Sequence, residues 1–467
     1  MKIIYAFLLS CCMVFHAQAQ FQKTLYQFAS EDLVATHSMN PAFKAKGSFI
    51  LGLPGISQNT LNFSAPTTLG NLFMLENGKR NLSLGTAVKN LPQVSTTYAS
   101  SQLNILSLGG GDEKNMFMMS LDVRGFTKQK MSRDFLDLAI NGNSSSISIQ
   151  DVLEGKRLTD QEKYLYAETY SHFFGQLSLS DSRKLSDRVR LGLRVKFLWG
   201  MGYMSSSPIE GTYRMDGQSF NSSIDFEAAN VNMSGVVDPL IFLEEQKMEN
   251  KKMQGNFGGA IDIGTQVKIT DRWEASFFVQ DIGAINWNLN GQSVKIEKGY
   301  YEINAQEISL TGGIDGDSQL ADFDLQTFME EEVKMDTLQN QKFVEWLPAK
   351  AYLGTRYRVG EKHYFGATFM GQWFQNEFNY AMTASYDLRV GKMLSTIVSY
   401  SYSPQQTMAV GGGVRLNLGP LQVYAVTDDF TGLIKPSTLQ NVNITTGAVF
   451  TFGRKHKAKV EAETTAE

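Results

Sequence analysis

The chain has 467 residues, with 43 Lys and Arg against 47 Asp and Glu and a formal net charge of -4 at pH 7, a balance that excludes a strongly basic nucleic-acid binder. Hydrophobic residues make up 42% and charged residues only 19%, below the roughly 25% of an ordinary soluble domain, while 30 Phe, 18 Tyr, 5 Trp and 41 Gly point to dense β structure. With 10 Pro and no segment dominated by one residue type, Pro-rich, fibrous and disordered classes fall away.

At the start of the chain, Met1 and Lys2 form a short positive region, Ile3 to Phe15 an apolar run, and Ala17-Gln18-Ala19 an A-x-A cleavage site. Residues 1–19 therefore read as a secretory signal peptide. The apolar run is too short to span a bilayer as a helix, which needs about 20 residues. Leu8-Leu9-Ser10-Cys11 fits a lipoprotein signal less well than Ala17 to Ala19 fits ordinary cleavage, because Leu9 is poorly suited. Cleavage removes both cysteines, Cys11 and Cys12, so the exported chain has no disulfide framework. No later segment approaches 18 continuous apolar residues, so only a closed β-barrel could cross a membrane.

Period-two alternation argues for such a barrel. Phe117, Met119, Leu121 and Val123 alternate with Met118, Ser120, Asp122 and Arg124. From Val189 to Tyr203 the odd positions are all apolar, and the even ones are Arg190, Gly192, Arg194, Lys196, Leu198, Gly200 and Gly202. Phe257 to Val267 and Phe378 to Leu388 repeat the pattern. These runs exceed the usual 5 or 6 residues of a sandwich strand and suit tilted membrane strands of at least about 9 to 11. Strand candidates lie near 47–56, 96–108, 115–126, 164–179, 187–204, 222–233, 255–269, 272–281, 300–310, 350–359, 363–374, 377–390, 393–402, 407–418, 420–428 and 441–452. A bacterial barrel closes with an even number. The expectation is one all-β domain, a transmembrane antiparallel β-barrel over residues 47–452 with 14 strands, 12 and 16 being the alternatives.

Between the strands, Ser132 to Asn141 has helical spacing with Ser132 as N-cap. Met233 to Lys252 reads as a loop with a short amphipathic turn, and Leu320 to Trp346 as a large acidic outer loop. The final strand carries the pattern polar-x-Gly-x-x-aromatic-x-aromatic from Thr445 to Phe452. Gly447, Phe450 and Phe452 there resemble the terminal-strand signal read by barrel-insertion machinery. Residues 453–467 form a polar, disordered tail.

The basic face is the most specific chemical feature. Arg190, Arg194 and Lys196 should face the lumen, as should Arg356 and Arg358 beside Tyr352 and Gly354. One reading is a structural ladder in which they pair with Asp122, Asp262, Glu274 and Asp387. The other is a basic constriction that orients an anionic head group beneath a hydrophobic entry. An enzyme has no local support: H-E-x-x-H, G-x-S-x-G and the phosphate-binding loop are missing from the sequence, and His172 lies among aromatics of its own face. A barrel-embedded lipase needs only one Ser and one His and so would leave no motif. Asp315, Asp317, Asp322 and Asp324 could offer oxygen ligands to calcium, but without EF-hand spacing they read as solvated loop acids. No metal or cofactor is expected. Trp199, Trp273, Trp287, Trp346 and Trp373 fall near strand ends, as interfacial girdles require.

His37-Ser38-Met39-Asn40-Pro41-Ala42-Phe43, Gly52-Leu53-Pro54, Leu191 to Lys196, Asp262-Ile263-Gly264, Gln280-Asp281-Ile282-Gly283 with Ile285-Asn286-Trp287, and Gly419 to Tyr424 together resemble an uncharacterised family of Bacteroidota outer-membrane barrels. The resemblance covers nearly all of the exported chain. More remotely, Asn40, Pro41 and Ala42 are similar to the Asn-Pro-Ala of the fatty-acid-transporter (FadL-like) barrels and of PorV, the barrel partner of the type IX secretion system. Those relatives imply 14 strands in the outer membrane with an N-terminal segment, here residues 20–46, lodged in the lumen. They also imply two functions: transport or capture of a small hydrophobic or amphipathic ligand, or a scaffold that partners a secretion or cell-surface protein.

Overall fold

The computed structural model describes residues 23–28, 33–45, 47–76, 79–141, 160–217, 221–235, 255–303, 332–375, 377–404, 406–430, 434–435, 437 and 440–453. The signal peptide, the four loop aspartates and residues 454–467 of the tail lie outside them. Two short helices, α1 (Lys23–Gln27) and α2 (Ala35–Met39), come first. The wall follows: β1 (Phe49–Gly52, continued by Asn59–Ser64), β2 (Val94–Gly111), β3 (Asn115–Ser132), β4 (Gln161–Lys184), β5 (Val189–Ser206), β6 (Asn256–Lys268) and β7 (Trp273–Trp287). Its second half is β8 (Phe343–Trp346, continued by Ala349–Val359), β9 (His363–Phe374), β10 (Glu377–Val390), β11 (Leu394–Ser403), β12 (Gln406–Leu418), β13 (Leu421–Thr427) and β14 (Asn441–Phe452). All pairings are antiparallel, and β1 bonds to both β2 and β14, with Phe49 opposite Gly110 and Phe452, which closes the 14-stranded barrel.

Alternation decides which way each side chain points. Leu191, Leu193, Val195 and Phe197 are exposed, while Gly192, Arg194, Lys196 and Leu198 between them are buried. The same outward apolar surface continues around the wall through Phe117, Phe277, Leu353, Phe365, Phe378 and Val398. A continuous apolar belt of this kind requires lipid rather than water. No helix among the described residues is long and apolar enough to cross a membrane, so the strands do the spanning.

At one end, short turns join β2 to β3, β4 to β5, β6 to β7, β8 to β9, β10 to β11 and β12 to β13. The long connections all lie at the other end, beside the tight turns from β9 to β10 and β11 to β12; that end is the outer side in a bacterial barrel. There Ile209–Met215, Ser222–Phe226, Ala229–Gly235, Gln292–Ile296, Gly299–Ile303 and Met335–Gln339 continue the sheet beyond the wall. This explains why 16 candidates reduce to 14: the segment near 222–233 and the described part of 300–310, up to Ile303, belong to the extension. Its core packs Leu165, Ile209, Tyr213, Ile224, Phe226, Val231, Val294 and Ile296. Leu138 joins them from helix α3 (Arg133–Asn141), whose first turn is capped by Ser132 Oγ accepting from Phe135 N at 3.1 Å.

Of the register irregularities among the described residues, three matter most for the site. In β5 Gly202 pairs with Phe173 and Gly200 with Phe174, so Met201 is an extra residue. Tyr203, expected on the lipid face, therefore turns into the lumen, where it stacks on Trp287 at 5.1 Å. Trp287 is fully buried and so is no girdle residue, whereas Trp273, Trp346 and Trp373 are exposed. In β7 a register shift opposite Asp262 places Asp281 at φ 63, and both Gln280 and Asp281 face inward. In β1, residues 53–58 stand opposite two residues of β14 and three of β2. The surplus forms a turn, Leu53 to Ile56, with Ile56 exposed on the outer wall and Gly55 at φ 71.

Candidate functional site

The N-terminal segment fills the lumen towards the short-turn end. Tyr26, Phe28, Leu33, Met39 and Phe43 pack on Phe278, Tyr352, Met370 and Tyr424 of the wall. Tyr26 packs against the stacked pair of Phe278 and Tyr352, at 5.4 and 5.3 Å, and bonds to Ser276 Oγ at 2.6 Å. Asp428 accepts from the backbone N–H groups of Lys23 and Thr24 at 3.0 and 2.7 Å, which caps α1 with a carboxylate. Thr24 Oγ1 lies 2.7 Å from Ser399 Oγ.

Asn40, Pro41 and Ala42 form the turn that follows α2. Phe43 N donates to Asn40 O at 3.0 Å, and Ala42 N to Asn40 Oδ1 at 2.9 Å, so Asn and Pro occupy the positions a turn favours. The turn lies directly on Gly192 and Gly264, where a Cβ would collide with the Pro41 backbone and the Asn40 amide. Glycine at these two wall positions is thus required by the close approach of the plug.

Arg194 clamps the same turn. Its guanidinium donates to Ser38 O at 2.7 Å and to His37 O, satisfying carbonyls at the C-terminal end of α2. His37 Nδ1 donates to Phe43 O at 2.7 Å, which leaves Nε2 to accept from Ser180 Oγ at 2.7 Å. Burial, then the Arg194 charge, pushes this imidazole down to about 3. A Ser–His pair of this geometry could suggest nucleophilic chemistry, but the group orienting the ring is a backbone carbonyl and both side chains are buried where plug meets wall. The pair holds the plug in place.

Beside the plug runs a chain of buried ion pairs. Arg194 meets Asp262 at 2.9 Å, Lys196 meets Asp262 and Asp281 at 2.7 Å each, and Arg124 grips Asp281 through two bonds of 2.8 and 2.9 Å. Asp122 accepts from Asn104, Gln102 and Ser120. Towards the outer end an aromatic layer of Phe126, Tyr170, Phe174, Tyr203, Trp287 and Phe374 covers this polar belt.

Two cavities meet at the belt, of about 60 and 50 Å3, and share Ser38, Gln102, Arg124 and Gln280. Each has room for a few waters. The larger contains Lys350, for which no ion-pair or hydrogen-bond partner exists among the described residues, and Gln372, whose buried amide has none at either atom. Among the described residues the lumen is thus polar at its centre and apolar above.

Residues 41–428 match the family described as "Family of unknown function (DUF5723)". The chain belongs to that family. No curated protein matches it in sequence. Among solved structures, a mutant of the monoaromatic hydrocarbon channel TodX is 10% identical with a TM-score of 0.44, covering 89% of this chain and 93% of its own. The toluene transporter TbuX of Ralstonia pickettii is 11% identical with a TM-score of 0.42, covering 90% and 94%. A FadL homologue of Pseudomonas aeruginosa is 13% identical with a TM-score of 0.41, covering 89% and 93%. At these values the likeness carries no information about ligand.

In this DUF5723 member the basic residues read from sequence fall into separate places. Arg194 and Lys196 lie in the ion-pair chain with Asp262, and Arg356 pairs with Asp387 at 2.5 Å lower in the barrel. Arg190 and Arg358 sit at the short-turn rim, donating to Glu113 O at 2.7 Å and Asp271 O at 3.1 Å. They belong to no lumen constriction. Asp122 and Glu274 have neutral hydrogen-bond donors, Glu274 taking Gln266 Nε2 at 3.2 Å, and neither has an ion pair among the described residues. Gly447 has a local reason to be glycine: a Cβ there would strike Ser57 O and the Tyr424 hydroxyl. Phe450 and Phe452 stack on the outer wall at 6.2 Å. Sequence reasoning missed Asp281, Arg124 as its partner, Lys350 and Gln372. For Asp281 the signal was present in the Gln280-Asp281 step, two successive polar residues that break the alternation.

Proposed function

We propose that this protein is an outer-membrane barrel that admits or captures a small amphipathic molecule past a movable N-terminal plug. The observation that carries this reading is how the plug is held. Its described residues add no strand to the sheet and rest on a glycine floor under side-chain clasps from Arg194, Asp428, Ser399 and Ser180. Such a segment can shift without breaking the barrel's own hydrogen bonds. The layering supports an amphipathic ligand, with aromatic rings on the outer side and a belt with excess positive charge beneath. In that belt Arg124, Arg194, Lys196 and Lys350 face Asp122, Asp262 and Asp281.

A scaffold for a secretion or cell-surface partner is the second reading, favoured by the folded sheet extension at the outer end. Native mass spectrometry of the barrel extracted in mild detergent separates the two. A defined small-molecule adduct supports the first, and a stoichiometric protein companion without such an adduct supports the second.

A further inference from the structure

At the short-turn end, adjacent strands bring like charges face to face. Lys184 of β4 donates from its backbone N–H to Lys114 O at 2.8 Å and pairs on its other side with Arg190 of β5. The same backbone bond joins Lys268 to Arg188 at 2.7 Å, Arg358 to Arg272 at 2.8 Å and Arg389 to Lys362 at 2.9 Å. Like charges directly opposite one another across a sheet destabilise it. Here they recur at each junction from the β2–β3 turn to the β10–β11 turn, and such a run calls for a counter-charge from outside. We propose that this rim is a docking surface for an acidic polypeptide on the periplasmic side of the membrane. It lies at the end opposite the sheet extension and does not depend on what passes the lumen.

The turns carry too few acids of their own to balance these cations. Residues 112–114, 181–190, 268–274, 356–363 and 387–392 hold 12 Lys and Arg against 8 Asp and Glu, in a chain whose net charge is -4. Several of those acids are already engaged: Asp187 with Lys184 at 2.6 Å, Asp181 with Arg183 at 2.6 Å, and Asp387 with Arg356 at 2.5 Å inside the lumen. Glu274, opposite Lys268 on its other side, takes Gln266 Nε2. Lys114, Arg188, Lys268, Arg272, Arg358 and Lys362 are all exposed.

Geometry selects the kind of partner. By strand parity the cations continue the lumen-facing series: Lys184 follows Ser180 and Ser182, Lys268 follows Asp262 and Gly264, and Arg358 follows Tyr352 and Gly354. Their outward neighbours Leu185, Ile269, Trp273 and Val359 are apolar and exposed. A phospholipid packed on the outer wall meets those neighbours and not the cations. From β3 to β10 the run spans seven strand spacings of about 4.8 Å, roughly 34 Å of arc, which no small anion bridges. Opposed cations have Cβ atoms about 5 Å apart, close to the roughly 5–6 Å between carboxylates at i and i+4 of an acidic helix. A polypeptide of such residues meets both members of each pair, and the summed field of the rim draws it in.

The test is fluorescence anisotropy of a fluorescein-labelled octaglutamate peptide titrated with the full-length barrel, folded in neutral detergent. The wild type should bind saturably, and raising salt from about 0.05 to 0.5 M should weaken binding more than tenfold by screening. A triple variant, Arg188→Gln with Arg272→Gln and Lys362→Gln, should weaken it at least tenfold. Arg214→Gln with Lys298→Gln, at the outer end, should leave it unchanged. Heat-modifiable mobility on gels confirms folding. Should the triple variant fail to fold, Arg272→Gln alone, with an expected severalfold loss, decides instead. No binding by the wild type, unchanged binding by the rim variant, or an equal loss in the outer-end pair overturns the surface. Competition by an alginate oligomer of equal charge, or by dihexanoyl phosphatidylglycerol, as effective as by unlabelled octaglutamate assigns the rim to a polysaccharide or a lipid and overturns the polypeptide. None of these results alters the ligand-admitting reading, which stands or falls on a small-molecule adduct.

Discussion

Acid should loosen the plug, and His37 sets the pH. In the folded barrel its ring is neutral, with Nδ1 donating to Phe43 O and Nε2 accepting from Ser180 Oγ, and the groups around it are the cations Arg194 and Arg190. Protonation would replace the acceptor at Nε2 by a donor and place a third positive charge beside two arginines. The folded value of about 3 lies below the ordinary 6.5. Docking stability is therefore fully present above pH 6.5 and is lost progressively as pH falls towards 3. Each unit in that window is worth at most about 1.4 kcal/mol, and with the undocked ring half protonated at 6.5, lowering the pH from 6.5 to 4.5 should weaken docking by about 2.3 kcal/mol, roughly fiftyfold in the undocking equilibrium. Hydrogen exchange of residues 33–45, corrected for the intrinsic pH dependence, reads this directly. The amides of His37, Asn40 and Phe43 are bonded within the segment and should lose protection. His37→Gln, which keeps a neutral hydrogen-bonding side chain, should show a much smaller loss. Equal protection at pH 6.5 and 4.5 in the wild type, or an identical loss in His37→Gln, would refute the reasoning.

Other substitutions address the rest of the lumen. Asp281→Asn removes the carboxylate shared by Arg124 and Lys196. It should cost about 3–5 kcal/mol, visible as a lower denaturant midpoint. Asp181→Asn, which breaks the exposed pair with Arg183, should change it by less than about 1 kcal/mol. Arg194→Met should leave the wall folded but raise hydrogen exchange at residues 33–45, since the carbonyls of His37 and Ser38 lose their donor. Gly264→Val should have a similar effect by steric means, because its side chain occupies the place of the Asn40 amide. If Gly264→Val leaves the exchange unchanged, the turn does not dock on that glycine in solution.

The wall was legible in the sequence because lipid on one side and lumen on the other impose the same period on every strand. Val189 to Phe197 shows this, with outward Leu191 and Leu193 and inward Arg194 and Lys196. Alternation fails where a bulge adds a residue, and two of these failures have a consequence in the lumen. Met201 turns Tyr203 inward against Trp287, and Asp281 enters the ion-pair chain. Charge type alone likewise did not separate lumen from rim, because Arg190 and Arg358 lie on the same faces as Arg194 and Arg356 but nearer the short turns. The cavity was invisible for another reason. Gln280, Lys350 and Gln372 are far apart in the chain and meet only through strand register.

The central claim, that the N-terminal segment is a movable plug, is tested most directly by locking it. Thr24 Oγ1 and Ser399 Oγ lie 2.7 Å apart, and both natural cysteines fall within the first 12 residues, in the expected signal peptide. A Thr24→Cys, Ser399→Cys variant can therefore be joined by a single disulfide between plug and wall. Conductance across planar bilayers should show opening events in the reduced barrel that vanish on oxidation and return with reductant. Equal conductance in both states, or no opening in either, would contradict the account.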